Sequence, residues 1–336
     1  MAATLTALLA GVALTPSTAS AAELPPLVIA ALDVPTPHAV QTRVGPRGVS
    51  RTQLVPHANA PFPYDGIVPA SGKPFLDAEA GGRRGRHASR GRIFWEDETY
   101  GDRQVLLHIP AGFDARRPGF IVVYFHGHGA SLQSDVVARQ KVPHQITASG
   151  ANAVLVAPQL AVNAADSSIG KLWQAGGLSR LLDEAADNLG TMYGDPRAAA
   201  VFEQLPVVIV AYSGGYLAAA WSAQQGGIGK RLAGIVLLDA LYGETDKFTE
   251  WFGGNQGAFL VSAYTDSTRR RNEGLQQILA GHNIAQSSVL DERLDRGAVV
   301  FLDAGRDASH RDFVTKAWTS APISDVLARL PEYRRR

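Results

Sequence analysis

From Ile93 onward the chain alternates short runs of Val, Ile and Leu with longer amphipathic stretches, and this alternation restricts the fold more than any other feature. The runs Arg92–Glu96, Gln104–Ile109, Phe120–Phe125, Ala153–Ala157, Pro206–Ala211, Ala233–Leu238, Ala258–Ala263 and Ala298–Leu302 read as strands. Most are apolar at nearly every position, as strands covered on both faces must be. Between several of them lie helical patterns. The clearest places Leu178, Leu181, Leu182, Ala185, Ala186 and Leu189 on one helical face. Strands joined by helix-length connections require parallel crossovers, so the pattern predicts an α/β fold with an open, doubly wound, mostly parallel sheet and helices on both faces. The first three strands are joined by short connections, and that edge is expected to be antiparallel and meander-like.

Upstream the text changes. Residues 23–91 hold ten prolines and no sustained helical or strand period. Proline removes backbone donors and disfavours helix in the preceding residue, so an extended arm is expected there, followed by a catalytic-type domain over 92–336. The arm ends in a basic stretch, Arg83-Arg84-Gly85-Arg86-His87-Ala88-Ser89-Arg90-Gly91-Arg92. That stretch reads as a solvated linker in preference to a contact for an anionic polymer or membrane. Residues 1–92 carry nine Arg or Lys against five Asp or Glu, whereas the rest carries 23 against 26. The formal net charge is only +1, without the general basic excess of a nucleic-acid binder. At the N-terminus the apolar run Leu5–Leu14 and the triplet Ala19-Ser20-Ala21 have the shape of a signal peptide over 1–22, implying a periplasmic or secreted protein. The usual basic n-region is missing; if the match is accidental, the expectation becomes cytoplasmic. No stretch reaches 18 uninterrupted apolar residues, so no stable membrane insertion is expected. The absence of cysteine excludes disulfides, thiolate metal sites and a cysteine nucleophile.

Three stretches carry chemistry. The run Val207–Tyr212 enters Ser213-Gly214-Gly215 and then a small-residue helix. A serine on so sharp a strand-to-helix turn has its hydroxyl exposed above the sheet, and tiny neighbours let the turn close, which is the physical content of G-x-S-x-G. Here Ala211 replaces the first glycine. The run Phe120–Phe125 leads into His126-Gly127-His128-Gly129, flexible backbone able to aim N–H groups at a developing oxyanion. A structural role for the His126 imidazole is expected, and His128 either lines the pocket or faces solvent. No third ligand accompanies the two histidines, which argues against a metal. The last strand leads to Asp303 and a glycine-containing loop bearing His310, a setting suited to a general base. His282, near a helix end, reads as a cap.

With strand, nucleophile, glycine loop and terminal histidine in this order, the chain resembles the α/β-hydrolase family over roughly residues 92–330. The resemblance implies a Ser–His–acid triad of Ser213, His310 and an aspartate, with Gly127 or His128 and Gly214 donating to the oxyanion. Asp239 ends the strand after the serine strand, a position used by some lipases of the family; Asp266 ends the next one, the commoner family position. Asp239 is favoured because it follows a clean apolar strand, whereas Asp266 doubles as a helix N-cap signal; Asp303 is third. The Asp239–Ala258 connection is too short for a large cap domain. Any lid is expected in Gln159–Gly176, with Asp166, Ser168 and Trp173, or in the stretch with Tyr242, Phe248, Trp251 and Phe252. Tyr212 and Tyr216 flank the serine as pocket wall or as core.

The resulting expectation is a serine hydrolase that cleaves a small-molecule or lipid-like ester, with an amide as the second choice of bond, through an acyl-enzyme and without a cofactor. A catalytically silent binding protein on the same fold is the alternative, mildly favoured by the missing elbow glycine. An acyltransferase using the same serine is a third. The oligomeric state is not legible.

Overall fold

The computed structural model describes residues 48–88 and 91–335. Its spine is an eight-stranded sheet: β1 (Arg51–Pro56), β2 (Gln104–Ile109), β3 (Phe120–Phe125), β4 (Ala153–Pro158), β5 (Val207–Tyr212), β6 (Leu232–Leu238), β7 (Phe259–Tyr264) and β8 (Val299–Asp303), in the order β1-β2-β4-β3-β5-β6-β7-β8. All neighbours from β4 to β8 pair parallel, while β2 is antiparallel to both β1 and β4. The interior strands are buried along their length, and consecutive residues face opposite sides. Ile121, Val123 and Phe125 enter one core cluster, whereas Phe120, Val122 and Tyr124 enter the other.

Helices α2 (Gly177–Tyr193), α3 (Tyr216–Gln225), α4 (Thr245–Gly254) and α5 (Arg269–Gly281) cover the first face through residues such as Leu181, Ala219, Phe252 and Leu275. The second face is covered by α1 (Val142–Ala148), α6 (Pro322–Ala328) and a π-helical segment Leu132–Arg139, through Ile146, Val326 and Val136. This is the doubly wound α/β-hydrolase fold, and a single helix, α4, spans the link from β6 to β7 where a large cap would otherwise sit.

Two expectations are corrected. The antiparallel edge is not a meander of the first three predicted strands. Ile93–Trp95 belongs to a separate three-stranded sheet, and β2 pairs with β1 and β4 instead of with β3. Nor is the Pro-rich segment an extended arm over its described part. Residues 48–88 belong to the same compact unit as the rest. Its strand β1 closes the sheet edge, with Pro56 at the strand's end, where a missing N–H disrupts little. Phe62, Tyr64 and Phe75 pack with Tyr100 and Trp173 at centroid distances of 4.9 to 5.8 Å. Aromatic pairs at this spacing add to plain area burial. These rings, not the prolines, decide the fate of the segment.

Two arginines of the basic stretch are paired with carboxylates of this chain. Arg83 pairs with Asp97 and Glu98, both at 2.6 Å, and Arg84 with Asp65 and Glu96, both at 2.8 Å. Arg86 lies over the Phe75 ring at 4.9 Å and Arg92 over Phe94 at 5.1 Å. The predicted signal peptide over 1–22 and the first part of the predicted arm lie outside the described residues. Among the described residues no helix is long and apolar enough to cross a membrane.

Candidate active site

The candidate site residues lie just beyond the carboxyl ends of β5, β6 and β8, where open parallel sheets place their ligand crevices. At the end of β5 the chain reverses at Ser213, whose φ is +52°, and enters the helical turn Ser213–Gly215 that leads into α3. A non-glycine residue in that region stores strain, which packing must sustain. The surroundings of the elbow leave no room for side chains. A Cβ on Gly215 would lie 2.4 Å from the Phe125 carbonyl oxygen, and one on Gly127 would lie 2.7 Å from the Ser213 Cβ. Ala211, where the motif has its first glycine, fits fully buried on β5 without preventing the turn.

Ser213 Oγ lies 2.9 Å from His310 Nε2, and His310 Nδ1 lies 2.6 Å from Asp239 Oδ2. His310 sits in a short 3₁₀ turn after β8. Asp239 directly follows β6 with φ +45°, its N–H still donating to the Ala263 carbonyl at 2.8 Å. Its carboxylate is fully buried and saturated with donors. Thr265 N–H (3.1 Å) and Thr268 Oγ1 (2.6 Å) donate to Oδ1, and the Thr265 and Ser267 hydroxyls, both at 2.8 Å, donate to Oδ2. Burial by itself would raise the Asp239 pKa. The hydrogen bonds from His310, Thr268, Thr265 and Ser267 outweigh it and hold the carboxyl well below the usual range. The aspartate is therefore a fixed anion facing Nδ1, which selects the tautomer whose Nδ1–H donates and whose Nε2 accepts from Ser213.

The competing aspartates are engaged elsewhere. Asp266 accepts from Arg269 at 2.8 Å, and Asp303 accepts from the same guanidinium at 2.6 Å, both at the surface. The N-cap position of α5 falls on Thr268, not Asp266.

On the other flank, the loop after β3 runs against the elbow. Gly127 is packed on Ser213, and the His128 imidazole so crowds Gly214 that a Cβ there would be 2.3 Å from Cδ2. Gly214 N–H belongs to the first turn of a helical segment, where no intrahelical acceptor exists, so it is free to face an anion. His126 is buried and structural. Its Nδ1–H donates to the Gly127 carbonyl at 2.8 Å, while Nε2 accepts from Leu160 N–H at 2.9 Å and from Gln159 Nε2 at 2.8 Å. Both nitrogens are thus committed, and burial lowers its pKa to about 4. His128 is exposed at the mouth, its Nε2 2.6 Å from Ser167 Oγ.

Of the predicted lid residues, Phe248, Trp251, Phe252 and Trp173 are buried in the core, and Asp166 accepts hydrogen bonds from Ser168 and from the Tyr100 hydroxyl. Tyr242 alone of the aromatic stretch reaches the site, edge-on to His310 at 6.0 Å. Sequence reasoning missed the hydroxyl cluster around Asp239. Its signal was present as Thr265-Asp-Ser-Thr268, three hydroxyls around the very aspartate taken as the rival acid.

No protein-family model matches the chain, and no curated protein does. Solved structures do. A feruloyl esterase module from Clostridium thermocellum, complexed with sinapinate, is similar at a TM-score of 0.44 and 15% identity, covering 70% of this chain and 86% of its own. A dienelactone hydrolase from Anabaena variabilis is similar at a TM-score of 0.39 and 15% identity over 69% of this chain and 92% of its own. An S-formylglutathione hydrolase from Agrobacterium tumefaciens is similar at a TM-score of 0.40 and 9% identity over 77% and 98%.

Proposed function

We propose that the protein is a serine hydrolase that cleaves a carboxylic ester through an acyl-enzyme. One observation carries the reading: a serine held at positive φ on a strand-to-helix elbow, hydrogen-bonded to a histidine whose other nitrogen meets a buried carboxylate. Each part has a role in acyl transfer. Ser213 Oγ attacks the ester carbonyl as His310 Nε2 accepts its proton, and Asp239 balances the charge of the imidazolium. The carbonyl electron pair moves onto oxygen, which faces Gly214 N–H and the backbone N–H groups of the Gly127–His128 turn. The tetrahedral intermediate collapses by expelling the alcohol, which takes the proton from His310. Water then repeats the sequence on the acyl-enzyme, with His310 again as base, releasing the acid and regenerating Ser213. All atoms are supplied by ester and water, and no cofactor takes part in these steps.

A fluorophosphonate probe tests the reading. Covalent labelling of the wild type that is lost in Ser213→Ala, together with turnover of short-chain p-nitrophenyl esters, is the expected result. A folded wild type that never labels and hydrolyses no ester in a chain-length series would leave a binding protein on this fold.

A further inference from the structure

Tyr212 precedes the serine and is almost wholly buried, at 6% exposure, which a phenylalanine would satisfy equally well. Its hydroxyl nevertheless has a specific target. It donates to the carbonyl oxygen of His310 at 2.8 Å and approaches that of Arg311 at 3.4 Å. The ring of the same side chain lies over the His310 imidazole, with centroids 5.3 Å apart and planes within 26°. One side chain therefore grips both the backbone and the ring of His310.

The grip answers a mechanical need. His310 follows a loop in which Gly305, Arg306, Asp307 and Ser309 are exposed, and its own side chain is 38% exposed. The bond to Asp239 fixes one edge of the imidazole but leaves rotation about the Nδ1···Oδ2 line, along which Nε2 can swing away from Ser213. A ring stacked on its face removes that freedom. Tyr242 stands edge-on to the same imidazole at 89°. Arg139 from the π-helical segment donates to the Arg311 carbonyl at 3.0 Å and holds the same turn from outside. Because Tyr212 and Ser213 are consecutive on one rigid strand end, the distance between nucleophile and base is set by a short, stiff path instead of by the long loop after β8.

We infer that Tyr212 is a positioning residue for His310, its ring fixing the plane of the imidazole and its hydroxyl fixing the turn that bears it. The inference rests on the serine hydrolase reading. A positioned base matters because displacement of the reacting atoms by a fraction of an ångström costs turnover without weakening ground-state binding.

The test compares wild type, Tyr212→Phe, Tyr212→Leu and Ser213→Ala. Measurements are kcat and KM on p-nitrophenyl butyrate, melting temperature, and the downfield proton NMR resonance of the His310 Nδ1–H. Tyr212→Phe keeps the stack and loses the hydroxyl; its kcat is expected to fall about tenfold with KM changed less than about twofold. Tyr212→Leu loses both, and its kcat is expected to fall about a hundredfold with a broadened or lost downfield resonance. Folded Tyr212 variants that keep wild-type kcat, or that lose only in KM as a pocket wall would, overturn the inference. A wild type without esterase activity overturns the hydrolase reading instead. In that event the resonance alone decides: unchanged in both variants, it overturns the positioning role, and broadened in Tyr212→Leu, it supports it.

Discussion

The segment 48–99 and the Ser213 edge both depend on polar side chains, but they use them in opposite ways. In the first, Arg83 and Arg84 are partly exposed and each meets two carboxylates, while the neighbouring rings supply the burial. Exposed pairs of this kind contribute little individually, so the loss of one is readily absorbed. At the Ser213 edge, Asp239 is fully buried, and its link to Ser213 passes through the two nitrogens of one imidazole, His310. Distributed contacts make a region hard to break and uninformative about chemistry. A link that runs through one imidazole is easy to break and points to chemistry.

The largest effect expected is on rate. Ser213→Ala should remove probe labelling and lower ester turnover by about 10⁴-fold or more, with a melting temperature within a few degrees of wild type. Asp239→Asn should lower kcat by about 10³-fold, because the amide no longer selects the productive tautomer, whereas Asp266→Asn should change kcat by less than about threefold. Kinetics of the two variants, each verified as folded by circular dichroism, check this ranking; the reverse order would move the acid to Asp266.

The N-terminal segment should respond in stability. Phe75→Ala removes the ring that touches Phe62, Tyr64, Tyr100 and Trp173, and about 3–5 kcal/mol of unfolding free energy should be lost in denaturant titration. Activity per folded molecule should persist. A loss of activity without a loss of stability would show that the segment belongs to the site.

Two buried histidines set an intermediate effect. His108 is bonded through both nitrogens to Thr52 and Thr147, each at 2.8 Å, and burial lowers its pKa, like that of His126, to about 4. The unfolded chain binds these protons first, near the ordinary value of 6.5. Stability is therefore unaffected above about pH 6.5 and falls progressively as pH drops towards 4, by roughly 3 kcal/mol for each group. Asp239, held low in the folded state, extends the loss below the ordinary carboxylate range. Urea titrations across pH 4–7 measure the slope, and in His108→Gln, if folded, the slope should be reduced. The smallest effect belongs to Arg84→Ala, which removes only exposed ion pairs and should leave the urea midpoint nearly unchanged.

Legibility followed the same division. The apolar runs, the Ser213 elbow and the His310 loop could be read because each depends on neighbours in sequence. The Pro-rich segment was misread because the partners of Phe62 and Phe75 include Tyr100 and Trp173, separated by many residues and without a periodic signature. Its basic stretch could not be paired with Asp65, Glu96, Asp97 and Glu98 before the strands brought them together.

Local sequence signals suffice to predict a doubly wound sheet and a serine on the tight turn after one of its strands. The reason is local: strand burial, crossover length and the small residues of a tight turn are properties of contiguous residues. Which aspartate meets His310 is visible only in the tertiary structure. Three candidates lie at or just past the ends of adjacent strands, and what separates them is surroundings: hydroxyl donors converge on buried Asp239, while Asp266 and Asp303 share the surface guanidinium of Arg269. A carboxylate's role is set by the donors and solvent around it, and those arrive from parts of the chain that sequence order does not place side by side.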